Sequence, residues 1–152
     1  MNNPAIDAGS SKTSEELASL KQITMAVYAL QALGSPAVGV TVTGYALYRE
    51  AGELQVLWFL TGGVTAIAVI VAIIINYVKR EDVAGTLYQS HFDWQIRTFW
   101  WGLLWGVVGM LSMLLVVGYV VLFVAWVWTI YRVVKGWLKL TEGKPVMPSK
   151  IA

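Results

Sequence analysis

Along the chain, apolar positions gather into three long stretches without a charged residue, 22–48, 54–78 and 98–131, separated by short polar segments. Each of the first two is long enough for one helix across a ~30 Å hydrocarbon core. The polar Arg49-Glu50-Ala51-Gly52-Glu53 between them predicts an antiparallel hairpin. The third covers 34 residues, and as a single helix would measure about 51 Å at ~1.5 Å per residue, requiring a tilt above ~50°. It is therefore expected to form two helices, near 98–116 and 119–138, with the turn at Gly118-Tyr119. The predicted fold is an all-α integral membrane protein with four transmembrane helices in two hairpins. Residues 1–20 are read as a polar N-terminal tail or short helix, 21–140 as the membrane domain and 141–152 as a mobile C-terminal tail. Gly143-Lys144-Pro145 is expected to stop the last helix.

The polar start has neither the basic opening nor the apolar middle of a signal peptide, so no cleavage is expected. Thr13-Ser14-Glu15-Glu16 fits a capping box, with Leu17 and Leu20 following at helical spacing. Either a helix starts there, or a polar tail runs to Lys21.

Charge distribution sets the orientation. Lys and Arg concentrate on the cytoplasmic side of bacterial membranes. With four spans and both termini cytoplasmic, every one of the 11 basic residues except Arg49 lies inside. If residues 98–131 crossed only once, Arg132, Lys135, Lys139, Lys144 and Lys150 would move outside and the asymmetry would vanish. Tyr77, Trp94, Phe99, Trp100, Trp128, Tyr131 and Trp137 fall near the inferred cytoplasmic boundary, where amphipathic rings favour the interface.

Composition agrees: 57% of the 152 residues are apolar and only 13% charged, with a mean hydropathy of +0.63. That is about half the charge of an ordinary soluble domain. The absence of cysteine excludes disulfides and thiolate chemistry, and the single histidine, His91, excludes a multi-histidine metal site. A net charge of +2 gives no reason to expect nucleic acid as a partner. The expected partners are membrane lipids and another membrane protein or a second copy of the chain, with no cofactor.

Within a bilayer, helices associate through small residues and paired polar groups. Gly102 and Gly106 form a GxxxG element that Gly109 extends, and Thr61, Thr65, Ala68 and Ala72 make a small-residue stripe on the second helix. These surfaces serve either self-association or packing within the bundle, the latter being the commoner use. Pro36, in Gly34-Ser35-Pro36, is expected to kink the first helix, and Gln31 to face another helix rather than lipid.

The richest polar constellation spans residues 76–97 and includes Asn76, Lys79, Arg80, His91, Asp93, Gln95 and Arg97. If Asp82 caps a helix, Ala84, Leu87, His91 and Trp94 share a face. The segment reads either as an interfacial platform, with His91 and Gln95 binding a headgroup or partner helix, or as an amphipathic connector anchored by its basic residues. Arg132, Lys135, Trp137 and Lys139 give the last helix a basic, aromatic end suited to anionic lipid. No ionisable group lies within the three apolar stretches, and no HExxH, GxSxG, Walker loop or paired-carboxylate pattern occurs.

The stretches 75–83, with Asn76-Tyr77-Val78-Lys79-Arg80-Glu81-Asp82, and 90–100, with Ser90-His91-Phe92-Asp93-Trp94-Gln95-Ile96-Arg97, carry a resemblance. So do Tyr131-Arg132-Val133-Val134-Lys135-Gly136-Trp137-Leu138 and Glu142-Gly143-Lys144-Pro145. Together they resemble small proteobacterial inner-membrane proteins of unknown function, themselves similar to the broader Tic-twenty-like group. The likeness covers residues 75–145. Upstream, the pieces Tyr28-Ala29-Leu30-Gln31-Ala32-Leu33 and Phe59-Leu60-Thr61-Gly62-Gly63 stand about 25 residues apart here, whereas narrow-group members carry them almost adjacent. The resemblance implies a helical inner-membrane protein without an established reaction. The functional expectation is a non-enzymatic accessory, scaffold or assembly subunit of a membrane complex, the alternative being a pore or protein-translocation component of Tic-twenty-like type.

Overall fold

The computed structural model describes residues 12–48, 52–112 and 117–147. Four helices pack as a bundle: α1 (Ser14–Tyr48), α2 (Gly52–Val78), α3 (Leu87–Ser112) and α4 (Val117–Thr141), with no strand among the described residues. The pairs α1/α2 and α3/α4 make the most extensive contacts, and α1 also packs on α4.

Residues whose backbone groups need early partners decide the helix ends. At the start of α1 the Thr13 amide donates to Glu16 Oε2 at 2.7 Å and the Glu16 amide to Thr13 Oγ1 at 3.3 Å, a closed capping box. The helix then continues without a break to Tyr48, so the segment read as a polar tail or short helix is, from Ser14, the first turns of α1. It runs through Pro36, whose side chain lies outside the described residues, as does the 49–51 part of the expected turn.

Asp82 does not cap α3. Its carboxylate is taken by Lys79 Nζ at 2.8 Å, and Gly85 adopts φ 72°, a left-handed conformation that ends helical continuation. The helix begins at Leu87 instead, with Gln89 Oε1 reaching back to the Gly85 amide at 2.9 Å. Consequently α3 is one helix from Leu87 to Ser112, joining part of the expected connector to the third apolar stretch. The expected turn at Gly118-Tyr119 is also corrected. Both residues lie in the first turn of α4, and residues 113–116 lie outside the described residues.

At the far end of α4 the Gly143 amide donates to Leu140 O at 3.1 Å and the Lys144 amide to Lys139 O at 2.9 Å, with Gly143 at φ 66°. This is the paired bonding of a Schellman stop, and it turns the chain back toward α3.

The core lies at one end of the bundle. Leu17, Leu20, Tyr28, Val83, Tyr88, Phe92, Val133 and Leu140 gather where the start of α1, the 79–86 turn and the end of α4 meet. Farther along, the outward faces are apolar: Leu60, Val64, Ile67, Ile74, Leu104, Leu111, Val120 and Phe123 are all at least half exposed. Among the described residues, α4 is the one helix long and apolar enough to cross a membrane, and 62–78 makes a shorter apolar helix.

Candidate functional site

Two polar stripes with the same spacing face each other inside the core. On α1, Thr24, Tyr28 and Gln31 stand at i, i+4 and i+7, while on α3 His91, Gln95 and Thr98 repeat that interval, placing each trio on one helical face. All six are buried, with His91 and Gln95 fully so. Tyr28 Oη lies 3.1 Å from His91 Nδ1, Gln31 Nε2 donates to Gln95 O at 3.4 Å, and Gln95 Nε2 donates to Thr24 O at 3.3 Å.

The remaining partner of His91 fixes its chemistry. Nε2 lies 3.1 Å from the Lys144 carbonyl oxygen, which can only accept, so the ring hydrogen sits on Nε2 and the Tyr28 hydroxyl donates to Nδ1. Burial pulls the His91 pKa below its ordinary 6.5, to about 4, despite the opposing Lys144 carbonyl bond. The neutral ring is thereby the stable form near pH 7. Both ring nitrogens are occupied and the side chain is fully enclosed, so no proton-accepting position faces outward. Of the two readings of the segment, the platform with His91 and Gln95 turned to a headgroup or partner helix is not what the structure has: both point into the bundle, because the α3 face that carries them is the one covered by α1.

Helix α4 closes the cluster. Arg132 Nε donates to Thr98 Oγ1 at 2.8 Å, its guanidinium stacks 3.6 Å from the Trp94 ring centroid, and Trp94 Nε1 donates to Arg132 O at 3.1 Å. Arg132, expected at a lipid headgroup, turns Nε and Nη2 toward α3 while remaining half-exposed, since Trp94 offers both a ring face and a reciprocal donor. Lys135 Nζ lies 5.6 Å from the same ring, Trp137 packs beside Tyr28 with ring centroids 6.5 Å apart, and Lys139 pairs with Glu142 at 3.3 Å. The segment expected to be mobile after 141 is held as far as Val146, whose amide donates to Ser90 Oγ at 3.3 Å.

Glycines govern how closely these helices approach. A Cβ at Gly136 would overlap the Tyr28 ring, one at Gly34 would overlap Val69, and one at Gly109 would overlap Leu122. Of the GxxxG residues, Gly102 has Thr129 Oγ1 3.7 Å from an added Cβ, while Gly106 has nothing within 4 Å. On α2, Thr65 and Ala72 are buried and Ala68 half-buried, so this part of the stripe packs inside the chain; the Thr61 side chain lies outside the described residues.

The other constellation members divide by exposure. Asn76 is fully buried, and among the described residues Oδ1 and Nδ2 have no hydrogen-bond partner, nor do Gln31 Oε1 and Gln95 Oε1. Arg80 and Asp93 approach to 3.6 Å, tying the turn to α3, and Arg97 is exposed. Among the described residues no group of three or more His, Cys, Asp or Glu converges on a metal position. Sequence reading placed Gln31 against a helix but missed Thr24, Tyr28 and Gly136, although the matched polar intervals on α1 and α3 were available as a signal.

No family model, curated protein or solved structure matches the chain.

Proposed function

We propose that this chain is a four-span inner-membrane protein with both termini cytoplasmic, serving as a non-enzymatic accessory or scaffold subunit that packs against another membrane protein or a second copy. The supporting observation is the inverted distribution of polarity. Polar Thr24, Gln31, Asn76, His91, Gln95 and Thr98 are buried, while large apolar side chains of α2, α3 and α4 point outward. A water-facing exterior would make that arrangement costly, whereas lipid solvates it and makes polar contacts inside the bundle the groups that hold helices together. In this reading the third span begins near residue 98, so His91 lies on its cytoplasmic side.

Gly106 supports the scaffold role. It leaves space on α3, beside exposed Leu103, Val107 and Met110, where no described residue comes within 4 Å of an added Cβ. Mild crosslinking in native membranes followed by mass spectrometry should yield a defined hetero- or homo-complex, diminished by Gly106→Leu. A strictly monomeric protein insensitive to that change would contradict the role.

The pore or translocation reading draws on the buried polar stripes. Three hydrogen bonds join the two stripes, Tyr28 to His91, Gln31 to Gln95 O and Gln95 to Thr24 O, which favours a closed bundle at this end. Ion or solute flux through liposomes containing inserted protein would reverse the preference.

A further inference from the structure

Between α1 and α2, next to the 79–86 turn, lies an open groove of about 340 Å³ lined by Ile23, Ala26, Ile74, Ile75, Val78 and the stem of Lys79. Its lining is wholly apolar, and its rim is not. Lys79 Nζ sits 2.8 Å from Asp82 Oδ2, with both side chains close to half exposed, so an anion stands beside the cation of a lining residue, with the Lys12 charge also acting on Asp82. Nearby, Trp100 Nε1 donates to Tyr77 Oη at 2.9 Å, an exposed aromatic pair of the kind that marks a headgroup level.

We propose that this groove is a binding site for a zwitterionic aminophospholipid of the phosphatidylethanolamine type, its phosphate on Lys79, its primary ammonium on Asp82 and one acyl chain along the apolar lining. The inference rests on the membrane reading above. In a bilayer the chain contacts add little selectivity, because every lipid tail is as apolar as the groove wall. Selection therefore falls to the rim. An exposed ion pair with an i,i+3 geometry contributes little on its own and can be exchanged for two charge-matched contacts. A phosphate on Lys79 would leave the Asp82 carboxylate beside the headgroup with only the Lys12 charge to offset it, and an ammonium answers that carboxylate where a glycerol headgroup does not. A choline headgroup carries the right charge but has no N–H to donate to Asp82. The Asp82 carboxyl is held below the ordinary carboxylate range by the Lys79 hydrogen bond and charge, so it stays ionised in the neutral range.

Full-length protein in detergent, mixed with equal amounts of phosphatidylethanolamine, phosphatidylglycerol and phosphatidylcholine of the same acyl composition, can be examined by native mass spectrometry. The ethanolamine lipid should be retained about threefold over each competitor, the scale of an exposed charge contact. Asp82→Asn should abolish that preference and shift retention toward phosphatidylglycerol, and Ala26→Leu, which fills the groove, should reduce retention of all three. Unchanged melting temperature and helicity would separate these effects from misfolding. Phosphatidylglycerol preferred by the unaltered protein, equal retention of all three, or an ethanolamine preference that survives Asp82→Asn would overturn the site. Membrane fractionation tests the underlying reading separately: a protein extracted by carbonate without detergent refutes the membrane reading itself, whereas an integral protein without headgroup preference refutes only the site.

Discussion

At the scale of single residues, the contact between Tyr28 and His91 gives the buried cluster its chemical definition. Tyr28→Phe removes the only donor to Nδ1 among the described residues and leaves a buried acceptor unpaired, with an expected cost of about 1–3 kcal/mol in denaturant titration of the detergent-solubilised protein. The same ring predicts acid sensitivity. Its folded-state pKa lies below the unfolded value, so the unfolded chain takes up the proton first and stability is lost as pH falls from about 6.5 toward about 4. The loss should reach up to about 3 kcal/mol and should flatten in His91→Gln, as read from unfolding midpoints across that interval. Glycines separate by the space around them. Gly136→Ala meets the Tyr28 ring, which has little room to move, and should destabilise by about 1–3 kcal/mol, whereas Gly106→Ala meets nothing and should be neutral or stabilising by up to about 1 kcal/mol. The sequence named Gly106 and passed over Gly136 because GxxxG spacing marks small residues on a face without saying which face a neighbour occupies.

Among the elements, helix boundaries were legible wherever their signals were local. Thr13-Ser14-Glu15-Glu16 closes as a capping box and Gly143 stops α4, both as their side-chain chemistry dictates. Thr13→Ala should therefore cost about 1 kcal/mol, measured as a lower unfolding midpoint with fraying of the first turn in hydrogen exchange. The start of α3 was harder to read because two signals compete. Asp82 is a good N-cap residue, but a lysine three positions earlier claims its carboxylate, while Gln89 Oε1 accepts from the Gly85 amide and closes the start of α3 two residues before Leu87. What the sequence did not reveal was pairing at a distance. His91 and Gln95 looked like the polar face of an interfacial helix until α1 supplied a stripe at the same interval. Arg132, near the end of α4, likewise looked headgroup-directed until Trp94 provided a ring for it.

For the whole molecule, the four-helix architecture followed from the lengths of uncharged stretches, because helices that bury polar groups inward and present apolar faces outward need little else to be recognised. The polar joint of α1, α3 and α4 lies at the end of the bundle where the inferred cytoplasmic charges collect, and the groove proposed to hold a lipid opens at that same end. The proposed lipid site and the scaffold role depend on the chain crossing the membrane four times with that end inside. Single cysteines introduced at positions 12, 52 and 144 of the naturally cysteine-free chain can be probed in intact cells with a thiol reagent that does not enter the cytoplasm. Position 52 should label, while positions 12 and 144 should stay unmodified until the membrane is opened. Labelling of either position 12 or position 144 in intact cells would contradict the four-span arrangement.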